Sequence, residues 1–330
     1  METSRKENQS FLSKIGISYL IGTIIIIALQ LIISRLYYGN VDEKYYAYGF
    51  LLTMAPIYLI GFPAIACMVK RVPAEPALEK QKLSFKEMLI YFLIAYAAMF
   101  VFNIAGNVLA SIIGIFKSSG VQNGILEIAT SNSLWMNFLV MVICAPIVEE
   151  FLFRKFLIDR MKRFGERFAI LVSALMFGLF HGNIYQFGYA FAIGVVFAYV
   201  YCRTQDVKYS IILHMIINFM GSILGIIVLR VSGLLEIMSG DMTDQAAMVQ
   251  AMMQNIPGLM LYLLYMLFIF GMVIAGIILF FLRLKKTTLR PAAVVIEKGE
   301  VFKTTCLNVG MGLYFLFWIG YIIYATILVY

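Results

Sequence analysis

The sequence predicts an all-α fold: a polytopic transmembrane helical bundle of eight to nine spans, about nine as counted below, with a cytoplasmic N-terminus. Three observations predict it. Of the 330 residues, 62% are hydrophobic and only 13% are charged, against about 45–50% and about 25% in a soluble domain. The apolar residues gather in blocks of roughly 20, the length that crosses a hydrocarbon core. Lys and Arg then fall on alternate connections between these blocks, as they do when basic loops stay on the cytoplasmic side.

The blocks are 15–34, 47–69, 87–116, 134–153, 168–181, 187–202, 209–229, 257–282 and 308–329. Arg5, Lys6 and Lys14 precede the first, and no small-residue cleavage site follows it. It therefore reads as an uncleaved span rather than a leader. The fifth and sixth blocks are short and poorly separated. The segment HGNIYQFG between them carries no charge, so that turn is expected to be partly buried. Residues 70–86 mix prolines with both charge signs and read as a cytoplasmic linker with a short interfacial helix. Residues 230–256 are Met-rich, carry Glu236, Asp241 and Asp244, and read as an outer loop.

Charge sets the orientation. With the N-terminus inside, the inner segments hold 22 of the 26 Lys and Arg residues. The outer segments hold only Arg35, Lys44, Lys117 and Arg230. Dropping any one span would invert every later loop. The net charge of +8 is thus a topology signal and does not point to a nucleic-acid partner. Cys67, Cys144, Cys202 and Cys306 form no metal-like pair, so neither a disulfide framework nor a cysteine metal site is expected.

The chain divides into accessory spans and linker (1–86), a third span with its outer loop (87–133), a polar core (134–230) and C-terminal spans (231–330). The core holds Glu149, Glu150, Arg154, His181, His214 and Asn218, including both histidines of the chain. Ionisable groups within spans are costly and mark function. At about 1.5 Å per residue, Glu149 lies roughly 16 Å above the basic end of its span, His181 roughly 21 Å, His214 about 9 Å and Asn218 about 15 Å. Three helices thus bring these groups to similar depth. Glu150 and Arg154 are spaced i, i+4 in the order that favours an ion pair. Glu149 then points about 100° away. His214 and Asn218 share a face, and Phe177 can pack on His181.

A Glu–His pair suits the activation of water, and a His–Asn pair suits stabilisation of an oxyanion. Together they describe peptide hydrolysis. Two histidines and a glutamate are also a donor set for catalytic zinc. HExxH is absent, which argues against zincin-type membrane proteases, and GSILG is not a GxSxG elbow.

EEFLFR (149–154), FGLFH (177–181) and HMIIN (214–218) match EExxxR, FxxxH and HxxxN in order. In this the chain resembles the CAAX-processing and bacteriocin-processing intramembrane endopeptidases, the type II CAAX prenyl protease or abortive-infection-like family. The resemblance covers about residues 134–229. It implies a multi-pass protein of the cell membrane that cleaves a peptide or membrane-protein substrate within the lipid bilayer. It also implies that Glu149 activates water with His181 as partner, that His214 and Asn218 form the oxyanion site, and that Glu150, Arg154 and Phe177 support them. The favoured mechanism needs no cofactor. A zinc-dependent version would use Glu149, His181 and His214. A non-catalytic immunity or scaffold protein of the same fold is the other alternative.

Overall fold

The computed structural model describes residues 2–38, 46–117, 121, 133–239, 249–250, 253–285 and 287–329. Among these, every regular element is helical. The nine helices read from sequence are α1 (Ser4–Tyr37), α2 (Tyr48–Val69), α3 (Phe85–Lys117), α4 (Leu134–Phe164), α5 (Glu166–Phe180), α6 (Ile184–Thr204), α7 (Val207–Val231), α8 (Ile256–Leu284) and α9 (Val309–Ile327). All but α5 are long and apolar enough to cross a membrane, eight in number among the described residues. The chain is a multi-pass integral membrane protein.

Helix α5 differs for a physical reason. Its 15 residues rise only about 22 Å, short of a hydrocarbon core of about 30 Å. It stops inside the bundle at the uncharged turn. There Gly182 is buried with φ of +67°, and an added Cβ would meet Trp318 of α9 at 2.9 Å. Glycine adopts that backbone readily. The turn leaves His181 within the bundle, and α6 restarts with Asn183 capping the Gln186 N–H at 2.8 Å.

The predicted inner segments meet at one end. Arg5 pairs with Glu300 at 3.0 Å. The Glu75 N–H donates to the Asp159 carbonyl, and the Gln81 N–H to the Thr204 carbonyl, each at 2.8 Å. The Arg290 N–H donates to Glu166 at 2.8 Å, and Arg163 accepts from Ala293 at 2.9 Å. At the opposite end Lys117 donates to the Thr326 carbonyl at 3.4 Å. This convergence follows from the alternating directions of successive helices, the short α5 included. The expected interfacial helix within 70–86 does not form: residues 73–84 are non-helical. Pro73 and Pro76 break it, and the two backbone bonds pin the linker flat across the helix ends. The outer loop 230–256 lies partly outside the described residues.

Inside the bundle, α6 packs against α3, α5 and α7, while α1 packs against α2 and α9. Tyr19, Phe153, Phe177, Phe197, Tyr201, Tyr314 and Arg154 are fully buried. The exposed side chains of α8 include Leu263, Leu264, Leu267, Ile274 and Phe281, an apolar face suited to lipid.

Small residues allow the closest approach, as is usual between membrane helices. A Cβ on Gly310 of α9 would lie 1.8 Å from the Ser13 carbonyl oxygen of α1, and one on Gly16 would lie 2.3 Å from the Gly310 backbone. Gly310→Ala should therefore destabilise the protein by about 1–3 kcal/mol. Gly271→Ala on α8, where a Cβ meets nothing within 4 Å, should be neutral. Thermal denaturation of both variants in detergent checks the contrast.

Candidate active site

Helix α4 carries the two glutamates, and it is not a regular α-helix. Residues Phe138–Cys144 and Phe151–Phe156 are wound as π-helix on either side of Ala145–Glu150. Such widened turns recur at functional sites. Pro146 explains the first. In the π register the N–H of residue 145 reaches the Val140 carbonyl, so residue 146 would reach that of Met141. Proline has no N–H to give. The Asn218 side chain of α7 supplies it instead, its Nδ2 donating to the Met141 carbonyl at 2.8 Å. Asn218 thereby ties α7 to the irregular turn one helical step before the glutamates. Its amide retains a second N–H.

Glu150 and Arg154 are both fully buried, with Nε 3.1 Å from Oε2. The contact is ionic rather than an aligned hydrogen bond, since neither atom has a hydrogen-bond partner. The guanidinium is held from other sides. Its Nη1 donates to the Ser173 hydroxyl at 3.1 Å, which in turn donates to the Phe153 carbonyl at 2.6 Å. Its face lies over the Phe177 ring, 4.6 Å from the centroid, a favourable setting for a desolvated cation. The i, i+4 pairing expected from the sequence forms, and α5 completes it.

His214 joins the two carboxylates. Its Nδ1–H donates to Glu150 Oε1 at 3.1 Å. Its Nε2 lies 3.8 Å from Glu149 Oε2. The imidazole is 3% exposed, the Glu149 side chain 20%. Glu150 is thus fully buried, and Glu149 is the more accessible carboxylate of the two. Although the two acids leave the helix in different directions, both reach the same ring.

His181 is held by its own helix. Its Nδ1–H donates to the Phe177 carbonyl at 2.9 Å, which leaves Nε2 as the free acceptor in the neutral ring. Phe177 meets the His181 ring edge-on at 4.8 Å and the His214 ring at 5.8 Å. Phe197 packs on the other side of His214 at 5.2 Å. Glu149 and His214 lie within electrostatic range of His181.

The structure therefore gathers Glu149, Glu150, Arg154, Phe177, His181 and His214 into one cluster, with Asn218 bonded to its edge. Sequence reasoning missed three neighbours. Ser173 supports Arg154, and Tyr58 and Tyr189 lie within electrostatic range of Glu149. Tyr189 accepts a hydrogen bond from Gln186 at 2.8 Å, leaving its own proton to donate. A tyrosine in an apolar run gives no spacing signal, so only the packing finds these two.

The Met141 bond predicts a compensation. Asn218→Ala leaves a carbonyl unpaired and should destabilise by about 1–3 kcal/mol. Adding Pro146→Ala restores a backbone N–H and should recover most of that loss. Thermal stability of the two single variants and the double variant measures the coupling.

Comparison with known proteins agrees with this core. Residues 131–220 match the family model described as type II CAAX prenyl endopeptidase Rce1-like. A Bacillus subtilis (strain 168) protein, "Putative membrane peptidase YdiL", is 29% identical over 162 residues, covering 47% of this chain and 66% of that protein, just under two thirds of its length. No solved structure matches significantly. Residues 131–220, which carry the three motifs in order inside a multi-pass helical bundle, are thus similar to the type II CAAX prenyl endopeptidase Rce1-like family.

Proposed function

We propose that the chain is an intramembrane endopeptidase in which Glu149 activates the hydrolytic water. One observation carries this reading. Of two adjacent carboxylates, Glu150 is sealed between Arg154 and His214, while Glu149 stays partly accessible beside the same histidine. A general base must be reachable by its substrate.

The steps follow from the donors present. A water lies between Glu149 and the free Nε2 of His181. Glu149 takes its proton as the oxygen bonds to the scissile carbonyl carbon. The carbonyl oxygen becomes an oxyanion. His214 in its imidazolium form gives Nδ1–H to Glu150 and Nε2–H to that oxyanion, and the second N–H of Asn218 adds another donor. When the C–N bond breaks, Glu149 returns the proton to the leaving amine. Glu150 and Arg154 orient His214 and stay out of the bond-making. The substrate is a C-terminal CAAX-type segment, a small peptide or a membrane protein that extends into the bundle.

Zinc would need Glu149, His181 and His214 together. Among the described residues no three His, Cys, Asp or Glu side chains are grouped as a metal ion requires. The proposed steps use no metal.

The test is cleavage of a panel of C-terminal and transmembrane peptides by purified protein. Glu149→Gln should lose about 10²–10⁴-fold of the rate while inserting and folding normally, and chelator should leave the wild type active. Full activity in the variant would remove the mechanism. Loss on chelation with recovery on zinc would give the metal the central role. Cleavage of no peptide by the wild type, alongside a cellular effect unchanged in the variant, would favour the non-catalytic reading.

A further inference from the structure

A cavity of about 800 Å³ opens at the end of the bundle where the basic segments meet. Its wall is formed by one face of α1 between Lys6 and Lys14, by Arg71, Val72 and Pro73 just beyond α2, and by Arg163 at the end of α4. Four cations line it, Lys6, Lys14, Arg71 and Arg163, against the single carboxylate of Glu7. The wall therefore carries a net charge of +3 (four minus one). The volume falls in the range of small-molecule sites.

Of these charges, those of Lys14, Arg71 and Arg163 are not used up by the fold. Several other cations of this face have protein partners: Arg5 has Glu300, Arg203 has Glu87, and Arg160 donates to the Val69 and Val72 carbonyls. Lys14 and Arg71 are exposed, with no ion-pair partner among the described residues. The guanidinium of Arg163 lies 4.6 Å over the Phe11 ring and 5.6 Å from that of Phe164, and its buried Nε has no hydrogen-bond partner. Stacking fixes that group without neutralising it. A topology anchor needs only scattered basic residues, whereas here they converge on a concave site.

Depth adds the second constraint. Lys14 is the last charge before the apolar run of α1, and Val69 ends α2. The cavity lies at the rim of the spans, where lipid phosphates lie. We propose that it binds a phosphate-bearing anionic group, the phosphate of an anionic phospholipid headgroup being the source that its depth favours. Fixed Arg and Lys donors around a dianionic or monoanionic phosphate supply charge-assisted bonds, and each cation near an anionic surface contributes about fivefold in affinity.

The experiment uses the full chain purified in detergent, with short-chain phosphatidylglycerol, short-chain phosphatidylcholine and inorganic phosphate titrated separately and thermal stability as readout. Phosphatidylglycerol should stabilise the wild type and phosphatidylcholine should not. Lys14→Ala/Arg71→Ala should weaken the phosphatidylglycerol effect about 25-fold in concentration. Lys82→Ala/Lys86→Ala, removing two exposed cations of the same face outside the cavity, should leave it unchanged. A shift reproduced by inorganic phosphate at equal concentration would support the site and make free phosphate its ligand. Equal shifts with both lipids, or equal losses in the two double variants, would overturn it. The readout does not involve proteolysis, so it stands or falls apart from the proposed activity.

Discussion

The interior is organised by one buried ion pair, Glu150 with Arg154. Two charges taken out of water are unfavourable unless their remaining groups are satisfied, and in a bilayer there is no water to supply the partners. Two further helices supply part of them, while Arg154 Nη2 keeps no hydrogen-bond partner. Helix α5 brings Ser173 and the face of Phe177 to the guanidinium, and α7 brings His214 to the carboxylate. Any shift of α5 or α7 would strand a charge. The pair thus locks the same helices that carry the candidate chemistry, and it fixes which edge of the His214 ring faces Glu149.

The second constraint is the irregular winding of α4. Pro146 removes a backbone donor, the helix widens, and the freed Met141 carbonyl recruits Asn218. A regular α-helix would direct neighbouring glutamates about 100° apart. The π turns on both sides of Ala145–Glu150 re-aim that short segment, so one acid is sealed and the next keeps 20% of its side chain open. Stopping α5 short at Gly182 does the complementary task by leaving His181 inside the bundle rather than at its rim.

Much of this was legible in the sequence, because the bilayer imposes strong patterns. Apolar blocks and the Lys and Arg bias gave the nine helices and their alternation, and the charge-bearing loops do converge at one end. The spacing of Glu150 and Arg154 gave their pair, and that of Phe177 and His181 gave their contact. What was not legible depends on partners distant in the chain. The contact of His214 with both glutamates spans more than sixty positions, and no local spacing encodes it. The Met141 bond arises from a proline that read only as a loosening. The helix expected within 70–86 failed because Pro73 and Pro76 break it and backbone bonds to Asp159 and Thr204 hold the linker, and the second of these causes is a tertiary one.

The central claim is that Glu150 acts through His214 rather than on its own. A double-mutant cycle on the rate of peptide cleavage, with Glu150→Gln, His214→Gln and the combination, tests it most directly. If the glutamate works by orienting and charging the imidazole, its substitution should matter little once His214 is gone, and the double variant should be no more than about threefold slower than His214→Gln alone. Multiplicative losses in the double variant would contradict the account, because the two residues would then contribute independently.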